Sequence, residues 1–305
     1  MVHLAWRGAP TESELSEFLA AVRRVDGRPT AEPDGELPRR LRTGDHLVAV
    51  DGARIVGYAH VNAAPDAAGR AVGEVYVHPD WRRRGIGRSL VVELVGRVRA
   101  DRAAGELRLW AFGDHPAAAW LAARCGFRGV REVRRLVRPL SDDLPEPALP
   151  AGLRLRTFRP DHDEDAVVDV NRRAFAWHPE QGAMTAADLR AARSESWFRP
   201  EGFLLAVDAA DTVLGFHWTK VHPDVGGRPM GEVYVLAVDP RARGRGLGGA
   251  LTVAGLRYLA AAGLDRAMLY VESDNEAALA TYRKLGFVDW DVDVQYAHVT
   301  ASDSA

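Results

Sequence analysis

The 305-residue chain carries one pattern twice. Residues 73–90 read GEVYVHPDWRRRGIGRSL and residues 231–251 read GEVYVLAVDPRARGRGLGGAL. Each is an apolar strand, a proline, an arginine-rich turn and a glycine-punctuated helix start. Matching tails follow, LRLWAFGDHPAAAWLAARCGF ending at Phe127 and AMLYVESDNEAALATYRKLGF ending at Phe287, an offset of about 160 residues. That offset is close to the roughly 150 residues of an ordinary domain, so duplication of a whole domain is the economical explanation.

Between the copies lies RPLSDDLPEPALPAG, where Pro139, Pro145, Pro147 and Pro150 fix the backbone and remove amide donors. The expected division falls near Leu149, giving 1–149 and 150–305. Each half reads as an N-terminal helix, a strand (46–50 and 203–207), a hairpin partner (56–62 and 213–221), the motif strand and helix, then a closing strand and helix. This is an α/β class with a mixed sheet flanked by helices, twice over.

Composition excludes several function classes. Lys+Arg number 40 against 42 Asp+Glu, a net charge of -2, which offers no positive field for nucleic acid or an anionic membrane. The single Cys125 rules out an internal disulfide and a cysteine-based zinc site, and suits a reducing compartment. The start MVHLAWRGAP has no basic segment followed by a long apolar one, and no apolar run approaches the roughly 20 residues of a membrane helix, so a cytoplasmic protein is expected.

The turn is where chemistry would sit. Glycines at 244, 246 and 248 let the backbone approach a ligand closely, and a helix start supplies free amides and a positive dipole end, which favour a pyrophosphate. Arg241, Arg243 and Arg245 add charge. A glycine-rich turn that merely connects strand to helix is the plain alternative, and its duplication at the same place weakens it. No Lys-Ser/Thr follows the last glycine and the spacing is not the dinucleotide fingerprint, so neither a nucleotide hydrolase nor a dehydrogenase is indicated.

The spacing resembles the acyl-CoA signature Arg/Gln-x-x-Gly-x-Gly/Ala of the GCN5-related N-acetyltransferase (GNAT) superfamily, met by Arg243, Gly246 and Gly248 and by Arg82, Gly85 and Gly87. The resemblance implies two tandem GNAT-like domains, each a mixed, mostly antiparallel sheet flanked by helices. FAWHPEQG at 175–182, GFHWTKVHPD at 215–224, GEVYVLAVDP at 231–240 and LYVESDN at 269–275 further resemble the mycothiol synthase family. That family moves acetyl from acetyl-CoA to the cysteinyl amine of a glucosaminyl-inositol thiol, in a ternary complex.

The resemblance puts the general base at Glu232, where strand alternation places Glu232, Tyr234 and Leu236 on one face and Val233, Val235 and Ala237 on the other. It puts the acid at Tyr282, on the predicted helix 276–285; a phenol can protonate a leaving thiolate. The plain readings are a surface strand glutamate and a tyrosine packed on the sheet. Leu236, Ala237 and Val238 are expected to hold the pantetheine arm, and Arg243, Gly244, Arg245, Gly246, Leu247, Gly248 and Gly249 the pyrophosphate. Asn275, Glu276, Ala277, Ala278, Leu279 and Ala280 should flank the cofactor's other side. Substrate residues implied by the family are Glu36, Glu180, Lys220, Glu232 and Tyr270.

In the first copy Ala122 stands opposite Tyr282, His115 opposite Asn275 and Trp110 opposite Tyr270, so the acid is missing there. It keeps Glu74 and a turn, and Val75, Tyr76, Val77, Arg83, Arg84, Gly85, Ile86, Gly87 and Arg88 are expected to contact a second CoA without turnover. Cys125 reads as a small buried apolar residue rather than a nucleophile. His178 and His222 read as loop residues with no partners at metal-ligand spacing, so no metal is expected. A monomer with a small-molecule acceptor, without nucleic acid or membrane, is the expected assembly. The competing functions are a tandem acetyltransferase for another amine (an aminoglycoside, a polyamine or a protein N-terminus) and a non-catalytic acyl-CoA sensor.

Overall fold

The structure is a computed structural model that describes residues 2–26, 44–62, 69–100, 105–113, 115–140, 143–177, 179–223 and 228–298. Two compact units emerge, one of Met1–Val133 with Asp291–Ala305 and one of Arg134–Trp290. Among the described residues no helix is long and apolar enough to cross a membrane.

Unit 1 begins with β1 (His3–Arg7), α1 (Glu12–Asp26), β2 (Asp45–Asp51), β3 (Arg54–Asn62) and β4 (Arg70–Val77). It continues with α2 (Ile86–Ala100), β5 (Glu106–Ala111), α3 (Pro116–Arg124) and the start of β6 (Phe127–Pro139). Helix α1 spaces Leu15, Phe18, Leu19 and Val22 along one face and buries them against Val48 and Tyr58. Helix α2 covers the other side, with Leu90, Val91 and Leu94 packed on Ala49, Ala59 and Leu109.

Unit 2 holds β7 (Arg154–Thr157), α4 (Glu164–Ala174), α5 (Pro179–Gly182), α6 (Ala186–Arg193), β8 (Phe203–Val207), β9 (Val213–His222) and β10 (Met230–Val238). After these come α7 (Leu247–Ala261), β11 (Arg266–Glu272), α8 (Glu276–Lys284) and the start of β12 (Val288–His298). Helix α7 is apolar nearly all round, and buries Leu247, Leu251, Leu256 and Leu259, as a central helix must. Its neighbour is His217, whose Nδ1 lies 2.8 Å from the Leu251 carbonyl oxygen. The ring leaves no room on α7: a Cβ added at Gly255 would lie 2.1 Å from it. Full burial pushes the His217 imidazole down to about 4.

In both units the motif strand has an antiparallel partner on one side, β4 with β3 and β10 with β9, and a parallel one on the other, β4 with β5 and β10 with β11. The strand order is β1-β2-β3-β4-β5-β12 in unit 1 and β6-β11-β10-β9-β8-β7 in unit 2. This is the mixed, mainly antiparallel sheet with flanking helices expected twice.

The units differ from the expected division 1–149 and 150–305. The last strand lies in unit 1, where Val294, Gln295, Tyr296 and Ala297 pair antiparallel with Ala111, Trp110, Leu109 and Arg108 of β5. The proline-rich segment belongs wholly to unit 2. Leu140 and Leu144 pack with Leu256 and Leu259, the Leu140 amide donates to the Asp265 carbonyl at 2.8 Å, and Arg257 donates to the Leu144 carbonyl at 2.9 Å. Prolines end the strand there, but the leucines between them have apolar surface to bury, so the segment is a strap on the core.

Candidate active site

The glycine turn of unit 2 is built on a buried carboxylate. Asp239 accepts from the Arg241 amide at 2.9 Å, and its two oxygens take Arg241 Nε at 2.9 Å, Arg241 Nη2 at 2.8 Å and Arg173 Nε at 2.9 Å. These partners hold its carboxyl well below the usual carboxylate range. Arg243, the first signature residue, donates Nη2 to the Ala174 carbonyl at 2.9 Å and so ties the end of α4 to the turn. Gly246 then takes φ +82° and caps α7 with no side chain of its own, a conformation that favours glycine. The first amides of α7 are therefore left without a side-chain cap, at the positive end of the helix dipole.

Strand β10 opens next to this turn. It pairs with β11 only from Gly231 to Val233, while its ladder with β9 runs on to Val238. Residues 234–238 thus have no partner strand on the β11 side, and an extended ligand can lie there. A cavity of about 830 Å³ occupies this place. Leu236, Ala237 and Val238 line it from the strand, Arg243, Gly244, Gly246, Leu247, Gly248 and Gly249 from the turn, and Asn275, Ala277, Ala278 and Tyr282 from α8. Of the expected cofactor residues, Arg245, Glu276, Leu279 and Ala280 do not line it: Arg245 reaches to the Ala151 carbonyl at 3.4 Å, Leu279 is buried in the core, and Glu276 and Ala280 face outward. Sequence reasoning missed Phe175, Trp177, Thr252 and Thr281, which also line it. Trp177 is 54% exposed, an aromatic whose string was noted but given no role.

The alternation expected along β10 breaks at Tyr234. The register with β9 shifts between Val233 and Val235, so Tyr234 is an extra residue, a β-bulge. Past it the faces exchange: Val233 and Leu236 pack together with Leu256 and Leu259, whereas Val235 and Ala237 pack with Phe216 and Trp218. Glu232 therefore shares a face with Tyr234, Val235 and Ala237 and not with Leu236.

Glu232 is 6% exposed. It stands opposite Lys220 in the ladder, and its Oε2 lies 2.6 Å from Nε2 of His222. His222 is the last residue of β9 rather than a loop residue, because the hairpin strand runs one residue farther than the expected 213–221. Lys220 places Nζ 4.9 Å from the Trp197 ring centre and 5.6 Å from that of Tyr234. Tyr270, 46% exposed on β11, lies under the Arg135 guanidinium at 5.6 Å. Tyr282 packs edge-on to Phe287 at 5.7 Å, and burial pushes its phenol up to about 12. The acid candidate thus faces the cavity fully protonated near neutral pH. Glu180 falls at α5, where the structure describes no side chain, and Glu36 and His178 lie outside the described residues. Among the described residues no group of three or more His, Cys, Asp or Glu is placed to hold a metal.

Unit 1 repeats the turn with different contents. His78 replaces Asp239 as the cap of the short 3-10 turn, and Arg83, at φ +64°, stands where unit 2 has Gly244. The strand β4 has no bulge: His60 pairs with Glu74, Tyr58 with Tyr76 and Gly57 with Val77 without a shift. Counted through the ladders, Val72 opposite Arg108 takes the place of Glu232 opposite Met268, and Glu74 takes the place of Val235. The repeated string GEVYV hides this, since the insertion in β10 slides it along the strand. Glu74 is not the counterpart of Glu232. It is 2% exposed and accepts from the Tyr76 hydroxyl at 2.5 Å.

Two contacts beside the turn also differ between the units. Leu121 of α3 comes within 3.2 Å of a Cβ placed at Gly87, whereas the first neighbour of such a Cβ at Gly248 is Val238 at 3.7 Å. Arg82 donates both Nη atoms to Asp26, at 2.7 and 2.8 Å, where Arg243 meets only a carbonyl. His115 caps α3 by accepting from the Ala117 amide and Asn275 caps α8 by accepting from the Ala278 amide, so both are side-chain caps at the expected positions. Cys125 is half-buried at the end of α3, and burial pushes its thiol up, which suits packing and not nucleophilic attack.

Comparison with known proteins agrees with this geometry. The Acetyltransferase (GNAT) family model matches residues 166–287, and an Acetyltransferase (GNAT) domain model matches residues 42–129. Among solved structures, a GCN5-related N-acetyltransferase from Sphaerobacter thermophilus covers 96% of this chain and 95% of its own, at TM-score 0.73 and 23% identity. A tandem GNAT protein from the clavulanic acid biosynthesis pathway covers 97% and 98%, at TM-score 0.72 and 22% identity. These likenesses show the fold. The class is therefore a tandem acetyl-CoA-dependent N-acetyltransferase. The mycothiol acetyltransferase of Saccharomonospora viridis is 51% identical over 93% of this chain and 94% of its own length. That of Actinosynnema mirum is 50% identical over 97% and 100%. The chain belongs to the mycothiol acetyltransferase family.

Proposed function

We propose that the protein transfers acetyl from acetyl-CoA to the cysteinyl amine of desacetylmycothiol, the cysteinyl glucosaminyl-inositol thiol, and that unit 2 carries the reaction. The observation behind the assignment to unit 2 is the opened β10 strand, which sets a buried carboxylate at one end, a capless helix start at the other and a protonated tyrosine across the cavity. Acetyl-CoA lies with its pantetheine arm beside residues 236–238 and its pyrophosphate over the amides of residues 246–249. Glu232 takes a proton from the ammonium, directly or through one water, and the free amine attacks the thioester carbonyl. The carbon–sulfur bond breaks, Tyr282 gives its proton to the departing thiolate, and the new amide nitrogen gives up its second proton, which restores the Tyr282 phenol. Glu36, Glu180, Lys220 and Tyr270 are the proposed acceptor contacts.

Unit 1 is proposed as non-catalytic, because it has Val72 for the base and Ala122 for the acid. A second CoA there is a weak site, since Leu121 narrows the cleft and Asp26 adds negative charge beside it. A small-molecule acceptor, a monomer and a cytoplasmic setting complete the reading. CoA release is measured with desacetylmycothiol beside free cysteine, glucosamine and an aminoglycoside. Turnover with the first alone is expected; activity only on another amine removes the substrate assignment and keeps the transferase.

A further inference from the structure

The base candidate is not alone in its site. Glu232 and His222 meet at 2.6 Å with their side chains 8% and 4% exposed, one strand apart and across the hairpin. A carboxylate only accepts hydrogen bonds, so while Glu232 is ionised the hydrogen sits on Nε2 of His222. The other ring nitrogen, Nδ1, is buried and has no hydrogen-bond partner among the described residues. An imidazolium would leave that second N–H unsatisfied away from water, whereas a bare lone pair costs less. The geometry therefore assigns the hydrogen to Nε2, aimed at Oε2.

We propose that His222 is the positioning residue of the acetyl transfer: it fixes one oxygen of Glu232 and leaves Oε1 free for the acceptor's ammonium. This rests on Glu232 being the base. Met230 and Met268, fully buried beside Glu232 in the ladders, offer no polar atom that could replace the imidazole at Oε2. Other charged and titratable groups that alternation places on this face are Lys220 from β9, Tyr234 from β10, Arg266, Tyr270 and Glu272 from β11, and Arg135 from β6. Lys220 lies over two aromatic rings, and Arg135 lies over Tyr270 and Trp290. A donor held on Oε2 fixes the carboxylate in one orientation and leaves its other oxygen to accept from the substrate ammonium.

The test compares His222→Leu, which removes the donor, with His222→Gln, whose side-chain N–H can reach the same oxygen. The acid limb of the kcat/KM profile for the acceptor is expected to move up by about one pH unit or more in His222→Leu. KM for acetyl-CoA should stay within twofold, and His222→Gln should restore most of the limb. Imidazole 15N shifts in the wild-type protein should report hydrogen on Nε2 and a bare Nδ1, a readout that survives if His222→Leu fails to fold. A folded His222→Leu with an unmoved acid limb, or hydrogen on Nδ1, overturns the proposal. Glu232→Gln separates the two ideas: full turnover in that variant removes the base assignment itself, whereas lost turnover there beside an unmoved limb in His222→Leu removes only the role of His222.

Discussion

In unit 2 the motif strand inserts Tyr234 between Val233 and Val235 and leaves its parallel neighbour at Val233. In unit 1 the corresponding strand runs on without an extra residue and stays paired with β5 as far as Glu74. The order of strands, and of the helices that follow the turn, is otherwise shared. Because side chains alternate with period two, one inserted residue exchanges the faces of everything beyond it. Both strands leave their parallel neighbour before they end, β4 after Glu74 and β10 after Val233, so the bulge is what separates them.

The comparison breaks most sharply at the two glutamates. Glu232→Gln should lower kcat by roughly 10²- to 10⁴-fold, the usual range for loss of a general base, with acetyl-CoA binding nearly unchanged. Glu74→Gln should keep turnover within about twofold. CoA-release kinetics on both variants decide it, and an equal loss in the two would restore Glu74 as a functional counterpart.

Acid should weaken unit 2 through His217. Its imidazole is neutral in the fold and titrates near 4 instead of its ordinary 6.5, so the unfolded chain binds the extra proton. The stability this represents is fully present above about pH 6.5 and is lost as pH falls toward 4, in total about 3 kcal/mol. Burial shifts His46 and His78 of unit 1 the same way, so both units lose stability in acid. His217→Gln, followed by denaturant unfolding at pH 7 and pH 5, should flatten only the unit 2 slope; an unchanged slope would mean that His217 is solvated.

Smaller effects sharpen the picture. Tyr282→Phe should lower kcat by about 10- to 100-fold. Because burial holds the Tyr282 phenol up to about 12, its ionisation should cause no loss of activity between pH 7 and 10. A wild-type alkaline limb in that range that vanishes in Tyr282→Phe would contradict the buried, protonated tyrosine. The smallest change is expected in unit 1, where Asp26→Asn, alone or with Leu121→Thr, should tighten the proposed second CoA site a few-fold by calorimetry. Unchanged or weaker binding would show that Asp26 and Leu121 do not set that site's affinity.

Much of this architecture is legible in the chain. Apolar spacing at 15, 18, 19 and 22 gives α1, and the Arg-x-x-Gly-x-Gly turn with its positive-φ Gly246 gives one end of the cavity. The loss of Tyr282 to Ala122 can be read by counting. The counting fails at Glu74, because similar letters on two strands carry no record of which residue is bulged. The pairing of Glu232 with His222 is equally invisible, since it joins residues ten apart across a hairpin whose register the letters do not state.

By itself the sequence determined the two copies, their elements and the chemistry available at the turn, all of which follow from local periodicity and backbone preference. Tertiary structure alone decided where the units divide. The segments that end each copy begin alike at Phe127 and Phe287, and alternation tells a strand which face to bury but not which neighbour to hydrogen-bond. Residues 294–297 settle beside β5 and the proline-rich strap beside α7, because pairing and burial are satisfied there, and satisfied ladders and covered leucines are properties of the whole fold.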